Sequence, residues 1–259
     1  MAVSAAGKHW YLLNATPDIR FQIESFPQLH PGPGLRETPV CGVLLTDAEL
    51  DHTLGLLVLR EGTSLEVVAT TTVLAALSTA FPVRHILHSY ASFRWQEIKP
   101  GEPFLLDEGR LRVQAFRLGV KQPRYVTSSK ANGDWVIGYS FKDLESGSVA
   151  VYAPAVEAWT DEVEAQLSGA RCAFIDGTFW TDGEMIQLGA SPLTARQMGH
   201  LPISGAGGSA EHFAALPIPR KVYLHINNTN PILDDESAER GLLTAMGIEV
   251  GWDGMEMEV

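Results

Sequence analysis

The sequence predicts a layered α/β fold. Short, continuous apolar runs typical of buried strands recur along the chain, for example at residues 40–45, 172–175 and 221–226. Helical patterns lie between these runs, but strands and helices do not alternate regularly, which favours stacked layers. Of the 259 residues, 45% are hydrophobic and 19% are charged, so we expect one domain spanning residues 1–259 with a large core.

The first half of the chain is predicted to contain four strands and three helices. An apolar run at residues 10–14 predicts the first buried strand, and Thr16-Pro17-Asp18 forms a turn that can cap a helix over residues 19–26. The other predicted elements of this half are strands at residues 40–45, 65–70 and 104–106 and helices at residues 52–62 and 72–80.

The second half is predicted to be richer in strands. Residues 111–118 alternate as a half-buried strand, and the polar, basic residues 120–133 are typical of a loop. The remaining predicted elements are a hairpin of residues 135–141 and 148–152, a helix at 157–167, buried strands at 172–176 and 221–226, and a closing hairpin of 248–252 and 255–259 around Asp253-Gly254.

Composition restricts the partners of this protein. The 19 basic and 31 acidic residues give a formal charge of −12, which repels phosphate backbones, so nucleic acid is excluded as an expected partner. No apolar run reaches eighteen residues and the first residues lack a secretory pattern, so we expect neither membrane insertion nor export. Cys41 and Cys172 lie in apolar runs, which indicates reduced, buried thiols in a cytoplasmic protein. No pattern indicates an oligomeric state.

Polar residues that can bind metal follow three of the buried strands. They are Asp47 to His52, Asp176 and His225, and strand ends meet at the edge of a sheet where α/β enzymes place their sites. Asp51, His52 and His225 together offer two imidazoles and one carboxylate, a set that leaves coordination positions open and suits Fe(II) and oxygen chemistry. Two alternatives stay open: an N-cap role for Asp51-His52, and a hydrogen-bonded core role for His225.

Further polar residues are candidates for supporting roles. Asn227, Asn228 and Asn230 follow His225, where they either orient it and face substrate or form turns before a proline. Arg60 and Arg196 are candidates for binding a substrate carboxylate, with surface solvation or structural ion pairs as the alternative for both. His200 lies in a segment rich in small residues, either as a site residue or as a loop residue without a role.

The stretch Asp47-Ala48-Glu49-Leu50-Asp51-His52 resembles the HxHxDH motif of the metallo-β-lactamase superfamily, with Asp47 and Glu49 at the two leading histidine positions. Further stretches resemble one family of this superfamily, the coenzyme PQQ synthesis B proteins, nearly from end to end. These stretches are Asn14-Ala15-Thr16-Pro17-Asp18-Ile19-Arg20, Leu59-Arg60-Glu61-Gly62, Asp176-Gly177-Thr178-Phe179-Trp180, Met198-Gly199-His200-Leu201 and His225-Ile226-Asn227-Asn228-Thr229-Asn230-Pro231-Ile232-Leu233-Asp234.

The resemblance implies an αββα sandwich and a role in making pyrroloquinoline quinone (PQQ) from a Glu-Tyr unit of a ribosomal peptide. An iron-dependent hydroxylase of the tyrosine ring, using O2, is the favoured activity, with Fe(II) expected at Asp51, His52 and His225 and zinc as the alternative metal. A carrier for PQQ or its precursor is disfavoured because no membrane segment is predicted. A two-metal hydrolase is disfavoured because Asp47 and Glu49 replace the imidazoles of the first metal site.

The resemblance also implies roles around the metal. His200 is expected to act as an acid–base or substrate-orienting group, with Asp176 fixing its tautomer. Asp47 is expected to be an additional ligand or an acceptor that orients one, and Arg60 or Arg196 to pair with the acidic substrate. The family usually begins with a Gly-rich first strand and a cysteine-containing loop suited to structural zinc. This sequence starts at the segment that resembles the second hairpin, so we expect an uncovered sheet edge.

Overall fold

Two β-sheets organise the chain. The computed structural model describes residues 1–61, 64–90, 92–127 and 133–259. Within these ranges the strands are β1 (Ala2–Val3), β2 (Trp10–Leu13), β3 (Val40–Leu44), β4 (Leu65–Thr70), β5 (Phe93–Ile98), β6 (Pro103–Leu106), β7 (Leu111–Gly119), β8 (Val136–Asp143), β9 (Val149–Ala153), β10 (Cys172–Asp176), β11 (Arg220–Leu224) and β12 (Glu249–Val250).

Short helices connect the strands. The α-helices of the described residues are α1 (Ile19–Ser25), α2 (Leu50–Thr53), α3 (Thr71–Thr79), α4 (Val83–His88), α5 (Asp161–Leu167), α6 (Glu184–Gln187), α7 (Ser209–Ala215) and α8 (Ala238–Ala245). Single turns or short runs of 3-10 helix lie at Pro27–Leu29, Leu54–Glu61, Asp107–Gly109, Arg196–Met198 and Pro231–Leu233.

The chain divides into two compact units. The first comprises Met1–Arg112 and Gln122–Trp135, and the second Val113–Lys121 and Val136–Val259. The interpretation of residues 1–259 as one domain stays a prediction.

The five-stranded sheet has the order β1-β2-β3-β4-β5. β1 pairs antiparallel with β2, and every other neighbouring pair is parallel. The central strands β3 and β4 are almost continuously apolar and buried, as parallel strands covered on both faces must be. The two-residue strand β1 lies beside β2 at one edge of this sheet. The expectation of an uncovered sheet edge stays a prediction.

The seven-stranded sheet has the order β12-β11-β10-β9-β8-β7-β6. β9, β10, β11 and β12 run parallel to one another, and β8 joins β9 as the predicted antiparallel hairpin. Asp176, the last residue of β10, lies opposite Leu224, the last residue of β11, so the residues after both strands leave the sheet at the same edge. β3 belongs to the other sheet, so the expectation that all three strands end on a single sheet is wrong for β3.

The helix that carries His52 is interrupted by a backbone contact. The amide of Ala15 donates to the carbonyl of His52 at 2.7 Å, and the amide of Gly55 donates to the carbonyl of Ala15 at 2.9 Å. These groups are therefore bonded outside the helix, and α2 gives way to 3-10 helix from Leu54 instead of continuing as the predicted α-helix. A Cβ on Gly55 would lie 2.3 Å from the carbonyl oxygen of Thr16, so only glycine fits this contact.

Most predicted strands are confirmed, and three kinds of error remain. The closing hairpin is wrong, because β12 pairs in parallel with β11 and residues 255–259, all described, form no strand. Helix α5 begins four residues later than predicted, because the side chain of Thr160 caps it by accepting from the Val163 amide. The pattern missed β1, β5, α4, α6, α7 and α8. Gly62 and residues 128–132 of the predicted loop lie outside the described residues.

In the described part of the chain, no helix combines the length and the apolar character needed to cross a bilayer. Both cysteines are free thiols, with Cys172 buried and Cys41 partly buried.

Candidate metal centre

The first unit holds His52 through a buried carboxylate. The Nδ1 atom of His52 lies 2.8 and 2.7 Å from the two carboxylate oxygens of Asp47, and both side chains are almost completely buried. The N–H at Nδ1 donates to the carboxylate, which fixes the ring and places the lone pair of a neutral imidazole on Nε2. A carboxylate behind a histidine is the usual way to orient that histidine toward a metal ion. Asp47 therefore lies as an acceptor that orients His52, one of its two predicted alternatives, and its role as an additional ligand stays a prediction.

Asp47 is itself fixed by a hydrogen-bond network. The Thr46 hydroxyl donates to Asp47 at 2.7 Å and the Glu49 amide donates at 2.9 Å. The Asn14 amide nitrogen donates to the Thr46 hydroxyl at 2.9 Å, from a residue with a φ of 64°, a conformation that asparagine tolerates well. The ends of β2 and β3 are thus tied together behind His52.

The charges of this pair shift both pKa values. Burial by itself would raise the pKa of Asp47, but the charge of His52 and the hydrogen bonds from His52, Thr46 and Glu49 outweigh it and lower the pKa to about 2. Burial by itself would lower the pKa of His52, but the charge and hydrogen bond of Asp47 outweigh it, with smaller contributions from Asp51 and Glu49, and raise the pKa to about 9. Without metal, His52 and Asp47 form a buried ion pair, and a metal ion must displace the second imidazole proton.

Asp51 faces outward beside His52. Its side chain is 67% exposed, and its Oδ2 atom lies 3.9 Å from Nε2 of His52, so the carboxylate and this nitrogen point to a common place in the first unit. Asp51 lies in the first turn of α2, whereas Glu49 occupies the N-cap position without a side-chain capping bond. The N-cap alternative for Asp51 is therefore wrong.

Tyr125 supports the same loop and was not recognised from the sequence. Its hydroxyl donates to the carbonyl of Ala48 at 2.5 Å, and its ring packs edge-on against Phe81. Burial, with the charges of Glu49 and Asp47, raises the pKa of Tyr125 to about 12, so the hydroxyl stays a donor.

The second unit centres on Asp176, which the structure joins to His200. The Nδ1–H of His200 donates to Asp176 at 2.8 Å, and the other donors are the Val156 amide at 2.9 Å, the Thr178 amide at 3.0 Å and the Thr178 hydroxyl at 2.6 Å. Burial opposes ionisation of Asp176, but the charge and hydrogen bond of His200 and the interactions with His225 outweigh it and hold its pKa well below the ordinary value.

His225 is oriented by Thr178. The Thr178 hydroxyl lies 2.6 Å from the Asp176 carboxylate and 2.9 Å from the His225 carbonyl, and both of these groups only accept. Its single proton goes to one of them, so the 2.8 Å contact with Nδ1 of His225 requires the imidazole to donate. The lone pair of His225 is therefore on Nε2, as it is in a neutral His52.

His225 has a strained backbone, and its ring stacks on another histidine. Its φ of 58° lies in the left-handed region, which a residue with a Cβ adopts only when its surroundings require it. The ring is half-buried and stacks on the ring of His200, with centroids 5.6 Å apart. His225 therefore does not fit the alternative of a histidine within the apolar core.

Asp176, His200 and His225 also offer ligand atoms within 4.8 Å of one another. A carboxylate has about four lone-pair sites, and the four donors to Asp176 use them. We therefore interpret this trio as a hydrogen-bonded network. The grouping of His225 with Asp51 and His52 around one ion stays a prediction.

The asparagines after His225 mostly hold the backbone. Asn230 is buried, its side chain donates to the Gly177 carbonyl at 2.8 Å, and its oxygen caps the turn at Pro231–Leu233. The Asn227 side chain donates to the Thr229 hydroxyl at 2.7 Å, and Asn228 is exposed. These bonds match the turn-forming alternative for Asn230, and a substrate role for Asn227 and Asn228 stays a prediction.

The two candidate arginines donate to backbone carbonyls. Arg60 donates to Leu57 at 3.0 Å, and Arg196 donates to Ala206 at 3.2 Å and to Gly207 at 3.0 Å. Both are exposed. Their proposed pairing with substrate stays a prediction.

The chemistry of the donor set fits a metal ion. In the neutral rings of His52 and His225, Nδ1 donates a hydrogen bond and Nε2 has the lone pair that a metal ion can use, and Asp51 supplies an exposed carboxylate. Sequence reasoning missed the residues that impose this, Thr46 and Thr178, although each adjoins a predicted acid: Thr46 precedes Asp47, and Thr178 follows Asp176 by two residues.

The chain is similar to known proteins. A family model described as the beta-lactamase superfamily domain matches residues 9–226. Coenzyme PQQ synthesis protein B of Methylococcus capsulatus is 42% identical, over 99% of this chain and 86% of that protein. Its namesake in Pseudomonas paraeruginosa is 43% identical, over 100% of this chain and 86% of that protein.

The fold of this chain is also similar to that of a solved structure. The crystal structure of Zn(2+)-bound PqqB from Methylobacterium extorquens matches 100% of this chain and 86% of its own, with a TM-score of 0.91 and 35% identity. The predicted α/β fold of the metallo-β-lactamase type is confirmed. The chain belongs to the beta-lactamase superfamily and, within it, to the family of coenzyme PQQ synthesis protein B.

Proposed function

We propose that this protein takes part in PQQ biosynthesis as an iron-dependent oxygenase that hydroxylates the tyrosine ring of a Glu-Tyr precursor. The observation that carries the proposal is the orientation of two histidines: Nδ1 of His52 bonds to a carboxylate and Nδ1 of His225 bonds to a hydroxyl. Membership in a family named for PQQ synthesis supports the pathway.

Asp51, His52 and His225 are the proposed ligands. Two imidazoles and one carboxylate leave coordination positions open for O2 and substrate, a set that suits Fe(II). Bound Fe(II) would supply the activation of O2. The zinc-bound relative supports a metal in this family, and zinc remains the alternative ion.

The hydrogen bonds that Asp47 accepts disfavour a two-metal hydrolase. Asp47 stands at a leading histidine position of HxHxDH, and its carboxylate accepts bonds from His52, Thr46 and the Glu49 amide. Binding a second ion through Asp47 would remove the acceptor that orients His52. We therefore propose one ion per chain.

His200 is the proposed proton acceptor for the substrate. Its Nδ1–H bonds to Asp176, so the lone pair of the neutral ring is on Nε2, and the ring stacks on His225. Nε2 would take the phenol proton of the tyrosine as the ring is hydroxylated. Arg60 or Arg196 would pair with the substrate carboxylates.

Oxygen uptake tests the proposal directly. Insertion of one oxygen atom of O2 into a C–H bond while the other becomes water consumes two electrons, so the assay needs a reductant such as ascorbate. Anaerobically purified protein loaded with Fe(II), a Glu-Tyr peptide and ascorbate should consume O2 and give a peptide heavier by one oxygen atom, whereas a Glu-Phe peptide should not react.

A matched pair of variants identifies the site. His225→Asn keeps a residue that tolerates positive φ but removes the imidazole, so it should lose iron and turnover. His85→Asn makes the same change at an exposed position of α4 and should retain both iron and turnover. Equal turnover by His225→Asn and the parent would contradict the ligand assignment. Tight binding of PQQ without hydroxylation would favour the carrier, and efficient phosphodiester cleavage with two zinc ions would favour the hydrolase.

A further inference from the structure

Glu184 is a buried acid that the proposed chemistry does not use. It begins the four-residue helix α6, and only 6% of its surface is exposed. No basic side chain within the described ranges pairs with it, so hydrogen bonds alone compensate for its burial. Burying a carboxylate without a cation makes folding less favourable, because the charge loses its hydration. A specific role is therefore needed to explain an acid at this position.

The two oxygens of Glu184 bind two different loops. Oε2 accepts from the backbone amide of Trp180 at 2.7 Å, in the loop that follows β10 and carries Thr178. Oε1 accepts from the hydroxyl of Thr229 at 2.5 Å, in the loop that follows β11 and begins with His225. Glu184 therefore joins the segment that holds the proposed ligand to the segment that orients it.

Thr229 extends the connection toward His225. Its hydroxyl proton goes to Glu184, so its oxygen accepts from the Asn227 side chain at 2.7 Å. The backbone N–H of Asn227 in turn donates to the Thr178 carbonyl at 3.1 Å. The chain of bonds thus returns to Thr178, whose hydroxyl contacts Nδ1 of His225.

We propose that Glu184, acting through Thr229 and Trp180, is a positioning residue that holds the strained backbone of His225 so that its Nε2 faces the metal. This inference rests on the metal site of the proposed function, but not on hydroxylation. His225 keeps a φ of 58° only while its surroundings compensate for the strain, and the loop contacts made by Glu184 are part of those surroundings.

Glu184→Gln tests this with little change in shape. The amide oxygen can still accept from Trp180, but the amide nitrogen then faces Thr229, whose hydroxyl proton loses its carboxylate acceptor. Zn2+ binding, measured by competition with a chelating dye, should weaken roughly tenfold, the lower end for loss of an orienting partner. Glu211→Gln removes the same charge from the exposed surface of α7 and should bind Zn2+ like the parent.

Variants of Thr229 separate positioning from folding. Thr229→Val removes the hydroxyl and should weaken Zn2+ binding to a similar extent, whereas Thr229→Ser keeps the hydroxyl and should bind like the parent. The double variant Glu184→Gln with Thr229→Val should be little worse than either single variant, because both break one connection. The visible absorption bands of the Co2+-loaded protein should shift in Glu184→Gln, because the geometry of His225 at the metal changes.

The outcomes distinguish the two proposals. Parent-like Zn2+ affinity in both Glu184→Gln and Thr229→Val would overturn the positioning role and leave the metal site intact. Loss of the circular dichroism of the fold in both variants would assign Glu184 to folding and would also overturn it. A parent chain that binds no Zn2+ would overturn both proposals, whereas one that binds Zn2+ but hydroxylates no peptide would leave the role of Glu184 standing.

Discussion

Asp47→Asn removes the carboxylate that faces His52 and keeps the shape of the side chain. In the metal-free protein the buried pair lowers the pKa of Asp47 from 3.8 to about 2 and raises that of His52 from 6.5 to about 9. One pKa unit corresponds to about 1.4 kcal/mol, and both shifts describe the same ion pair, so the pair contributes about 2 to 3 kcal/mol. The variant also turns an amide N–H toward the Thr46 hydroxyl or His52, both of which donate.

The directions of the two pKa shifts determine the pH range in which the pair of Asp47 and His52 stabilises the fold. The contribution of Asp47 is present above pH 3.8 and is lost as the pH falls through about 2, whereas that of His52 is present below pH 6.5 and is lost as the pH rises through about 9. The pair is therefore fully effective between pH 3.8 and 6.5. The free energy of unfolding of the parent should exceed that of Asp47→Asn by about 2 to 3 kcal/mol at pH 6, and this difference should narrow as the pH rises from 6.5 through about 9.

Urea unfolding of metal-stripped protein at pH 6 and at pH 9.5 measures this difference. Asp253→Asn, on the exposed tail, is the matched control and should unfold like the parent at both values. The variant should also bind Zn2+ about 10- to 100-fold more weakly, because a neutral amide orients the His52 imidazole less firmly than the carboxylate does. A stability difference that is the same at pH 6 and pH 9.5 would refute the ion pair as its source.

Three further substitutions each test the role of a single residue. His52→Ala should lose bound metal, measured by elemental analysis, while circular dichroism stays that of the parent; retained metal would refute the ligand role. His200→Ala should keep the metal and lose turnover, measured as hydroxylated tyrosine, and metal loss would reassign it as a ligand. Gly55→Ala should destabilise the fold by about 1 to 3 kcal/mol in urea unfolding, because its Cβ would meet the Thr16 carbonyl at 2.3 Å; a neutral effect would mean that this backbone contact is not maintained.

The sequence by itself determined the elements that carry the chemistry. A short apolar run predicts a buried strand whichever strands later pair with it. The strands β3, β10 and β11 could therefore be predicted from their own residues. The polar residues at or directly after their ends, Asp47 to His52, Asp176 and His225, were predicted as site residues because α/β enzymes place their sites at strand ends. The resemblance to a known family then fixed the fold class, which the comparisons confirm.

Sheet membership and hydrogen-bond roles were decided only by the tertiary structure. Periodicity reports whether a strand is buried but not which strand pairs with it, so the ends of β3, β10 and β11 were expected at the edge of one sheet and the chain end was expected to fold back on itself. The partners of the site histidines are side chains 5, 24 and 47 residues away: Asp47 for His52, Asp176 for His200 and Thr178 for His225. The tautomer of each imidazole depends on such a partner, because a ring nitrogen donates or accepts according to what the folded chain places beside it.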